Sequence, residues 1–131
     1  MSDLPGDLLY TKEHEWLRKE DDGSVTIGIT DHAQAALGDL VYVELPEIGQ
    51  EVDDNGEMAV VESVKAASDV YAPIAGTVVA VNDVLADEPE MANTDPYGDG
   101  WIVRLQPSGG VDSDDLMSPD AYQQLLDELE D

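Results

Sequence analysis

The chain has 131 residues, in which 5 Lys and Arg stand against 31 Asp and Glu, so its formal net charge at pH 7 is −26. This charge excludes nucleic acid as a partner, because almost no side chain could neutralise phosphates. The chain contains no cysteine, which excludes disulfides, thiolate zinc sites and a cysteine nucleophile.

The distribution of apolar residues predicts a mainly β fold. These residues make up 42% of the chain and occur in short runs bounded by Gly, Pro, Asp and Asn, which is typical of strands separated by turns. The segment 82–100 is rich in Asp, Glu, Pro and Gly, so it is expected to be mostly loop with one helical turn. Strands are expected over 15–19, 25–29, 40–45, 77–81 and 101–105, with a hairpin over 58–71 centred on Lys65.

Two helices are predicted outside these strands. A short helix near 32–37 is expected to begin at Asp31 as its N-cap and to end at Gly38. A second helix near 119–130 has Ser118 as N-cap and a proline at its first position. Its apolar face consists of Tyr122, Leu125, Leu126 and Leu129.

The N-terminal residues 1–7 have neither a basic region nor an apolar core, and no apolar run approaches the length of a membrane span. We therefore expect a cytoplasmic protein without a membrane partner. The acidic residues are spread along the whole chain, which favours a salt-rich cytoplasm where screening relieves their repulsion. A halophilic source is expected.

Lys65 is the only positive charge between Lys19 and Arg104. It lies at the centre of the predicted hairpin and is followed by the small residues Ala66 and Ala67. An enzyme that acylates a lysine must reach its amine and remove a proton from it, and this position offers access. The pattern alone leaves two interpretations open, an attachment site or an ordinary solvated lysine at a turn.

Five segments occur in order along nearly the whole chain. They are Tyr-Thr-Lys-Glu-His-Glu-Trp at 10–16, Ile-Gly-Ile-Thr-Asp-His-Ala-Gln at 27–34, Gly-Asp-Leu-Val-Tyr-Val-Glu-Leu-Pro at 38–46, Val-Glu-Ser-Val-Lys-Ala-Ala-Ser-Asp-Val at 61–70 and Asp-Pro-Tyr-Gly-Asp-Gly-Trp at 95–101. Together they resemble the H protein of the glycine cleavage system. Biotin carriers are similar in fold but usually flank the lysine with methionines, so biotin is the poorer match beside Val64 and Ala66.

This resemblance implies a barrel-sandwich hybrid of the lipoyl/biotinyl type, with lipoate in amide linkage to Lys65 at the hairpin tip. It implies a single lipoyl-carrier domain over 1–131, with a C-terminal helix within 111–131 packed on its edge. Gly76, eleven positions after Lys65, matches a glycine that such domains use on the returning strand. Lysine and acyl chain together would form an arm that reaches about 12 Å.

The same resemblance implies a carrier that is not an enzyme and has no catalytic residue. Its arm would receive an aminomethyl group from glycine decarboxylase, the P protein, and deliver it to the aminomethyltransferase, the T protein. Lipoamide dehydrogenase, the L protein, would then reoxidise the arm. A lipoate ligase or a lipoyl/octanoyl transferase would attach the lipoyl group.

Three acidic residues are candidates for holding the loaded arm. Glu15 and Asp69 match positions at which polar residues of the family line a cleft, and a carboxylate suits a cationic aminomethyl group. Glu13 stands where a smaller or neutral residue is common in the family. For all three, the alternative of a solvated surface acid stays open.

His14 and His32 are isolated histidines without the spacing of a metal site, so no metal is expected. No nucleophile–base spacing or phosphate-binding glycine loop supports a hydrolase or a transferase. Two other functions remain open. One is an H-like protein that relays lipoyl groups to 2-oxoacid dehydrogenases, and the other is an unmodified acidic interaction module in which Lys65 is incidental.

Overall fold

The computed structural model describes residues 8–11, 14–53, 56–109 and 116–130, except for the side chains of residues 129 and 130. The strands are β1 (Leu9–Tyr10), β2 (Glu15–Lys19), β3 (Val25–Ile29), β4 (Leu40–Glu44), β5 (Glu51–Val52), β6 (Glu57–Ser63), β7 (Ala67–Tyr71), β8 (Gly76–Val81) and β9 (Val103–Pro107). The helices are α1 (Asp31–Leu37), α2 (Val84–Asp87), α3 (Met91–Thr94) and α4 (Pro119–Glu130). The predicted mainly β architecture is confirmed.

The strands form two antiparallel sheets. The larger sheet has the order β1-β2-β3-β9-β8-β5, and the smaller sheet has the order β4-β6-β7. Both sheets contribute side chains to one buried apolar cluster, among them Ile27 and Leu105 from the larger sheet and Val61 and Val70 from the smaller. The sheets therefore pack against each other through the faces that carry these residues.

A second buried cluster, which we call the aromatic cluster, contains Leu8, Tyr10, Trp16, Tyr122 and Leu126. The rings of Tyr10 and Tyr122 stack, with centroids 4.7 Å apart and planes 4° apart. The indole N–H of Trp16 donates to the backbone oxygen of Pro96 at 2.9 Å. Through these contacts α4 packs against β1 and β2, and the buried indole has its hydrogen-bond partner.

The N-cap of α1 is Thr30, so the prediction of Asp31 as the cap is wrong. The Thr30 hydroxyl accepts a hydrogen bond from the N–H of Ala33 at 3.2 Å. Asp31 is instead the first helical residue, where a negative charge still suits the helix N-terminus. Gly38 ends the helix as predicted, with φ at 84° and its N–H bonded to the carbonyl of Gln34 at 2.9 Å.

Ser118 caps α4 as predicted, since its hydroxyl accepts from the N–H of Ala121 at 3.2 Å. Tyr122 and Leu126 are buried and Leu125 is half-buried, whereas the side chain of Leu129 lies outside the described part. The predicted apolar face of this helix is thus seen at three positions. No helix in the described ranges is long and apolar enough to cross a membrane.

The segment 82–100 contains two short helices, α2 and α3, where one helical turn was expected. Asn82 holds the ends of this segment together. Its side-chain amide donates to the carbonyls of Asp99 and Trp101, each at 2.7 Å. The polar composition of the segment 82–100 predicts a loop, but it is also compatible with short helices. The buried side chain of Asn82 fixes where the segment starts and ends.

Candidate functional site

The turn between β6 and β7 is closed by the side chain of Ser63. Its Oγ accepts from the backbone N–H groups of Lys65 and Ala66, each at 3.1 Å, and donates to the carbonyl of Ala66 at 3.1 Å. The N–H of Ser63 donates to the same carbonyl at 2.8 Å. The turn satisfies its own backbone groups, and the predicted position of Lys65 at a hairpin tip is confirmed.

Lys65 is exposed, and its side chain passes over Gly38. A Cβ atom at Gly38 would lie 3.3 Å from Lys65 Cε and 3.9 Å from Nζ. Val64 joins the turn to the same backbone segment, because its N–H donates to the carbonyl of Asp39 at 3.3 Å. Lys65 takes part in no ion pair within the described part of the chain, so its amine stands free at the surface.

Asn93 of α3 holds the backbone that lies beneath Lys65. Its side-chain N–H groups donate to the carbonyl of Gly38 at 2.8 Å and to Oε1 of Gln34 at 3.0 Å. Its side-chain oxygen accepts from the N–H of Leu40 at 2.8 Å. One half-buried amide thus fixes the link between α1 and β4, and sequence reasoning did not single it out.

Glu15 is a buried carboxylate, 2% exposed, at the start of β2. Its Oε2 accepts from the N–H of Tyr71 at 2.6 Å, and its Oε1 accepts from the hydroxyl of Thr11 at 3.1 Å. Tyr71 ends β7, so Glu15 contacts the end of the strand that is remote from Lys65. A carboxylate held by such hydrogen bonds ties β2 to the smaller sheet.

Asp69 is exposed in the middle of β7, where it pairs with Val60 of β6. It therefore lies on the same hairpin as Lys65, four residues along the chain. Glu13 lies outside the described residues. The structure brings Lys65 and Asp69 onto one hairpin, while Glu15 reaches that hairpin from the larger sheet.

The two histidines lie together, with ring centroids 4.5 Å apart. Nδ1 of His14 is 2.8 Å from the hydroxyl of Tyr122, which is also 2.7 Å from the hydroxyl of Thr30. Burial raises the pKa of Tyr122 above its ordinary value. The Tyr122 hydroxyl, with its partners His14 and Thr30, connects the aromatic cluster to the cap of α1. No set of three or more metal-ligating side chains is found in the described ranges.

Three basic residues lie on the larger sheet, and two of them, Arg18 and Arg104, lie near Glu20. The carboxylate of Glu20 accepts from Thr26 Oγ1 at 2.6 Å and from Arg18 Nε at 3.0 Å. These contacts, chiefly the hydrogen bond from Thr26, lower the pKa of Glu20. Arg104 Nε also donates to Thr26 Oγ1, at 3.3 Å. This charged group belongs to the larger sheet and not to the Lys65 hairpin.

The sequence model of the glycine cleavage H-protein family matches residues 8–129. The chain belongs to this family. An H protein from Psychrobacter sp. is 61% identical over 126 residues, which cover 96% of this chain and 100% of the relative. An H protein from Halorhodospira halophila is also 61% identical over 126 residues, with 96% and 97% covered.

A solved structure agrees with this assignment. The crystal structure of a glycine cleavage system H protein from Mycobacterium marinum matches with a TM-score of 0.86 at 40% identity, and the match covers 95% of this chain and 99% of that one. The predicted barrel-sandwich fold and the predicted resemblance are confirmed. The chain is a lipoyl carrier of the glycine cleavage system. Gly76, matched from the resemblance, begins β8 where a Cβ atom would lie 2.6 Å from the carbonyl oxygen of Gln106.

Proposed function

We propose that Lys65 carries the lipoyl group in amide linkage. The observation that supports this is an exposed amine, free of ion pairs in the described ranges, at the tip of a turn fixed by Ser63. An enzyme that removes a proton from Nζ lets the amine attack the carbonyl carbon of an activated lipoate. The C–N amide bond forms as the bond to the leaving group breaks, and with an acyl adenylate that group is AMP.

The chain's own contribution is a fixed base for a mobile arm. When bound, the lipoyl group would supply a disulfide whose S–S bond breaks as one sulfur takes up the aminomethyl group, and it would remain on Lys65 as a dithiol once that group has been passed on. Ser63 and Gly38 hold the base of the arm, and after Lys65 has served as the nucleophile for attachment, the carrier role asks no side chain of the described residues to act as acid, base or nucleophile. The partners of the loaded arm are the P protein, the T protein and the L protein. A lipoate ligase or a lipoyl/octanoyl transferase attaches the lipoyl group. The protein acts in the cytoplasm.

Glu15 and Asp69 have different roles in this proposal. Asp69 is exposed on the hairpin and is available to a cationic group. Glu15 already accepts hydrogen bonds from Tyr71 and Thr11, so it positions the far end of β7. Tyr71 follows Lys65 by six residues, which is about 20 Å along an extended chain, so the end of β7 that Glu15 positions lies beyond an arm of about 12 Å.

Intact-mass measurement of the protein from its own host, followed by peptide mapping around Lys65, tests the attachment. We expect the mass of one lipoyl group on the peptide that contains Lys65. The Lys65→Arg variant keeps the positive charge but cannot form the amide, so it should stay unmodified. Lys19→Arg is the matched control, because Lys19 is also an exposed lysine, and it should be modified normally.

Glycine decarboxylation in host extracts tests the carrier role. Extracts that contain only the Lys65→Arg variant should lose the activity, and those with Lys19→Arg should keep it. If Lys65→Arg left the activity unchanged, the chain would be an acidic interaction module in which Lys65 is incidental. A loss of 2-oxoacid dehydrogenase lipoylation, with decarboxylation intact, would instead indicate the relay function.

A further inference from the structure

Three exposed apolar side chains surround the Lys65 turn. Six large apolar side chains are exposed in the described ranges, and Val64 at 72%, Val41 at 56% and Tyr42 at 49% belong to the turn or to the adjacent strand β4. Exposed apolar groups concentrated at one place indicate an interaction surface. We call Val41, Tyr42 and Val64 the Lys65 collar.

A β-bulge in β4 accounts for two members of the collar. Leu40 pairs with Ser63, and Tyr42 pairs with Glu62, so Val41 is an extra residue between two pairs that are adjacent on β6. A bulge can turn two consecutive side chains toward the same face. Leu40 remains buried while Val41 and Tyr42 are both exposed.

The third member is tied to the same strand. The N–H of Val64 donates to the carbonyl of Asp39, and Val41 follows Asp39 by two residues, which is about 7 Å along a strand. The collar and the amine of Lys65 therefore occupy one end of the smaller sheet. The other end of this sheet carries the exposed acidic residues Glu44 and Glu57.

We propose that the Lys65 collar is the docking surface for the enzyme that transfers the lipoyl group to Lys65. The proposal rests on Lys65 being the attachment site. An acyl donor must come within bonding distance of Nζ, which lies against Gly38, so the transferring enzyme has to cover the turn and the start of β4. Enzymes that act on the sulfur atoms meet the arm about 12 Å from its base and need not cover the collar.

The chemistry of the collar defines the enzyme surface that fits it. Apolar contact does not depend on charge and is not screened by salt, which suits a chain of net charge −26. Asp39 and Asp69 are exposed close to the turn along β4 and β7. A complementary surface is therefore an apolar depression bordered by basic residues.

The test measures lipoylation of the full-length unmodified chain by a lipoate–protein ligase with ATP and lipoate, followed by intact mass. The variants are Val64→Thr, which keeps a β-branched residue, and Tyr42→Thr, which replaces the aromatic ring by a β-branched residue that strands accept; both positions are exposed. Val79→Thr is the matched control, because Val79 is 42% exposed on β8 of the other sheet. Equal thermal unfolding midpoints would show that all three variants fold.

We expect the double variant, which carries Val64→Thr and Tyr42→Thr together, to lower kcat/KM for lipoylation by about tenfold. The change should come mainly from a higher KM, since a few central contacts dominate an interface. Val79→Thr should match the wild type. Collar variants driven to full lipoylation with excess ligase should support glycine decarboxylation at the wild-type rate. That result would show that the collar is needed by the ligase and not by the partners that act on the loaded arm.

Two results would overturn the proposal. Unchanged lipoylation kinetics in the collar variants would show that the ligase does not contact this surface. Normal lipoylation with impaired decarboxylation by the fully lipoylated variants would assign the collar to a glycine cleavage partner. If the wild-type chain itself gained no lipoyl mass on Lys65, the attachment proposal would fail, which is a separate result.

Discussion

The aromatic cluster and the Lys65 turn differ in how they satisfy their polar groups. In the cluster, Trp16 and Tyr122 are fully buried, and each finds its hydrogen-bond partner in a distant part of the chain. At the turn, Lys65 is exposed, and the nearby hydroxyl of Ser63 bonds the backbone. The first region is buried and the second is accessible, so a substitution that damages one of them should largely spare the other.

Trp16→Ala should have the largest effect on stability. It removes a fully buried indole and its hydrogen bond to Pro96, and such truncations cost about 3–5 kcal/mol of unfolding free energy. Denaturant unfolding measures the loss, with the exposed Val79→Ala as control at less than about 0.5 kcal/mol. The folded fraction should still be lipoylated at the normal rate, and a specific lipoylation defect would show that the two regions are coupled.

Tyr122→Phe should come next. It removes the hydroxyl that connects His14 and Thr30 and leaves buried polar groups without that partner, at a cost of about 1–3 kcal/mol. Tyr42→Phe is the matched control, because Tyr42 is exposed, and it should change the unfolding free energy by less than about 0.5 kcal/mol. Equal losses in both variants would contradict the role assigned to the Tyr122 hydroxyl.

The same tyrosine predicts a dependence on alkaline pH. Burial raises the pKa of Tyr122, so above the unfolded value of about 10 the unfolded chain loses a proton that the folded chain keeps. The stabilisation is complete below that pH and is lost as the pH rises. Unfolding measured between about pH 9 and pH 11 should show a smaller decline for Tyr122→Phe than for the wild type.

Asn93→Ala tests the support of the backbone beneath Lys65. The backbone groups of Gly38 and Leu40 lose their partner, which should cost about 1–2 kcal/mol. Amide hydrogen exchange should become faster at Leu40, and lipoylation should slow because the segment beneath Lys65 is less fixed. Gln124→Ala, at an exposed position on α4, is the control. Normal exchange at Leu40 would contradict this function of Asn93.

Ser63→Ala should have the smallest effect on stability. The turn is exposed to water, so loss of the serine hydrogen bonds should cost less than about 1 kcal/mol. The lipoylation rate should fall more clearly, because the backbone at Lys65 is no longer held. Ser68→Ala, at an exposed serine on β7, should change neither quantity. A large loss of stability in Ser63→Ala would show that the turn contributes to the fold as a whole.

Local patterns predicted seven of the nine strands in the described ranges, the C-terminal helix and the Lys65 turn, because alternation, turn residues and caps act over a few residues. They missed the two-residue strands β1 and β5, which are too short to show alternation, and they placed β9 two residues too early. They placed the cap of α1 at Asp31 instead of Thr30, because both residue types cap helices and the two residues are adjacent. Asn93 contacts Leu40 across 53 residues, and Glu15 contacts Tyr71 across 56. No local pattern carries that information. Glu15 was a candidate for the arm cleft, with a solvated surface acid as the open alternative, and it is buried.

The bulge in β4 also has a consequence for the length of the chain. Val41 lies between Leu40, which pairs with Ser63, and Tyr42, which pairs with Glu62. Ser63 and Glu62 are consecutive on β6, so deletion of Val41 would make the two pairs consecutive on both strands. The alternation of inward and outward residues in β4 would become regular, and Leu40 and Val43 would keep their buried positions. This sheet can therefore shorten by one residue at Val41 without changing its register, which a deletion elsewhere in β4 would not allow.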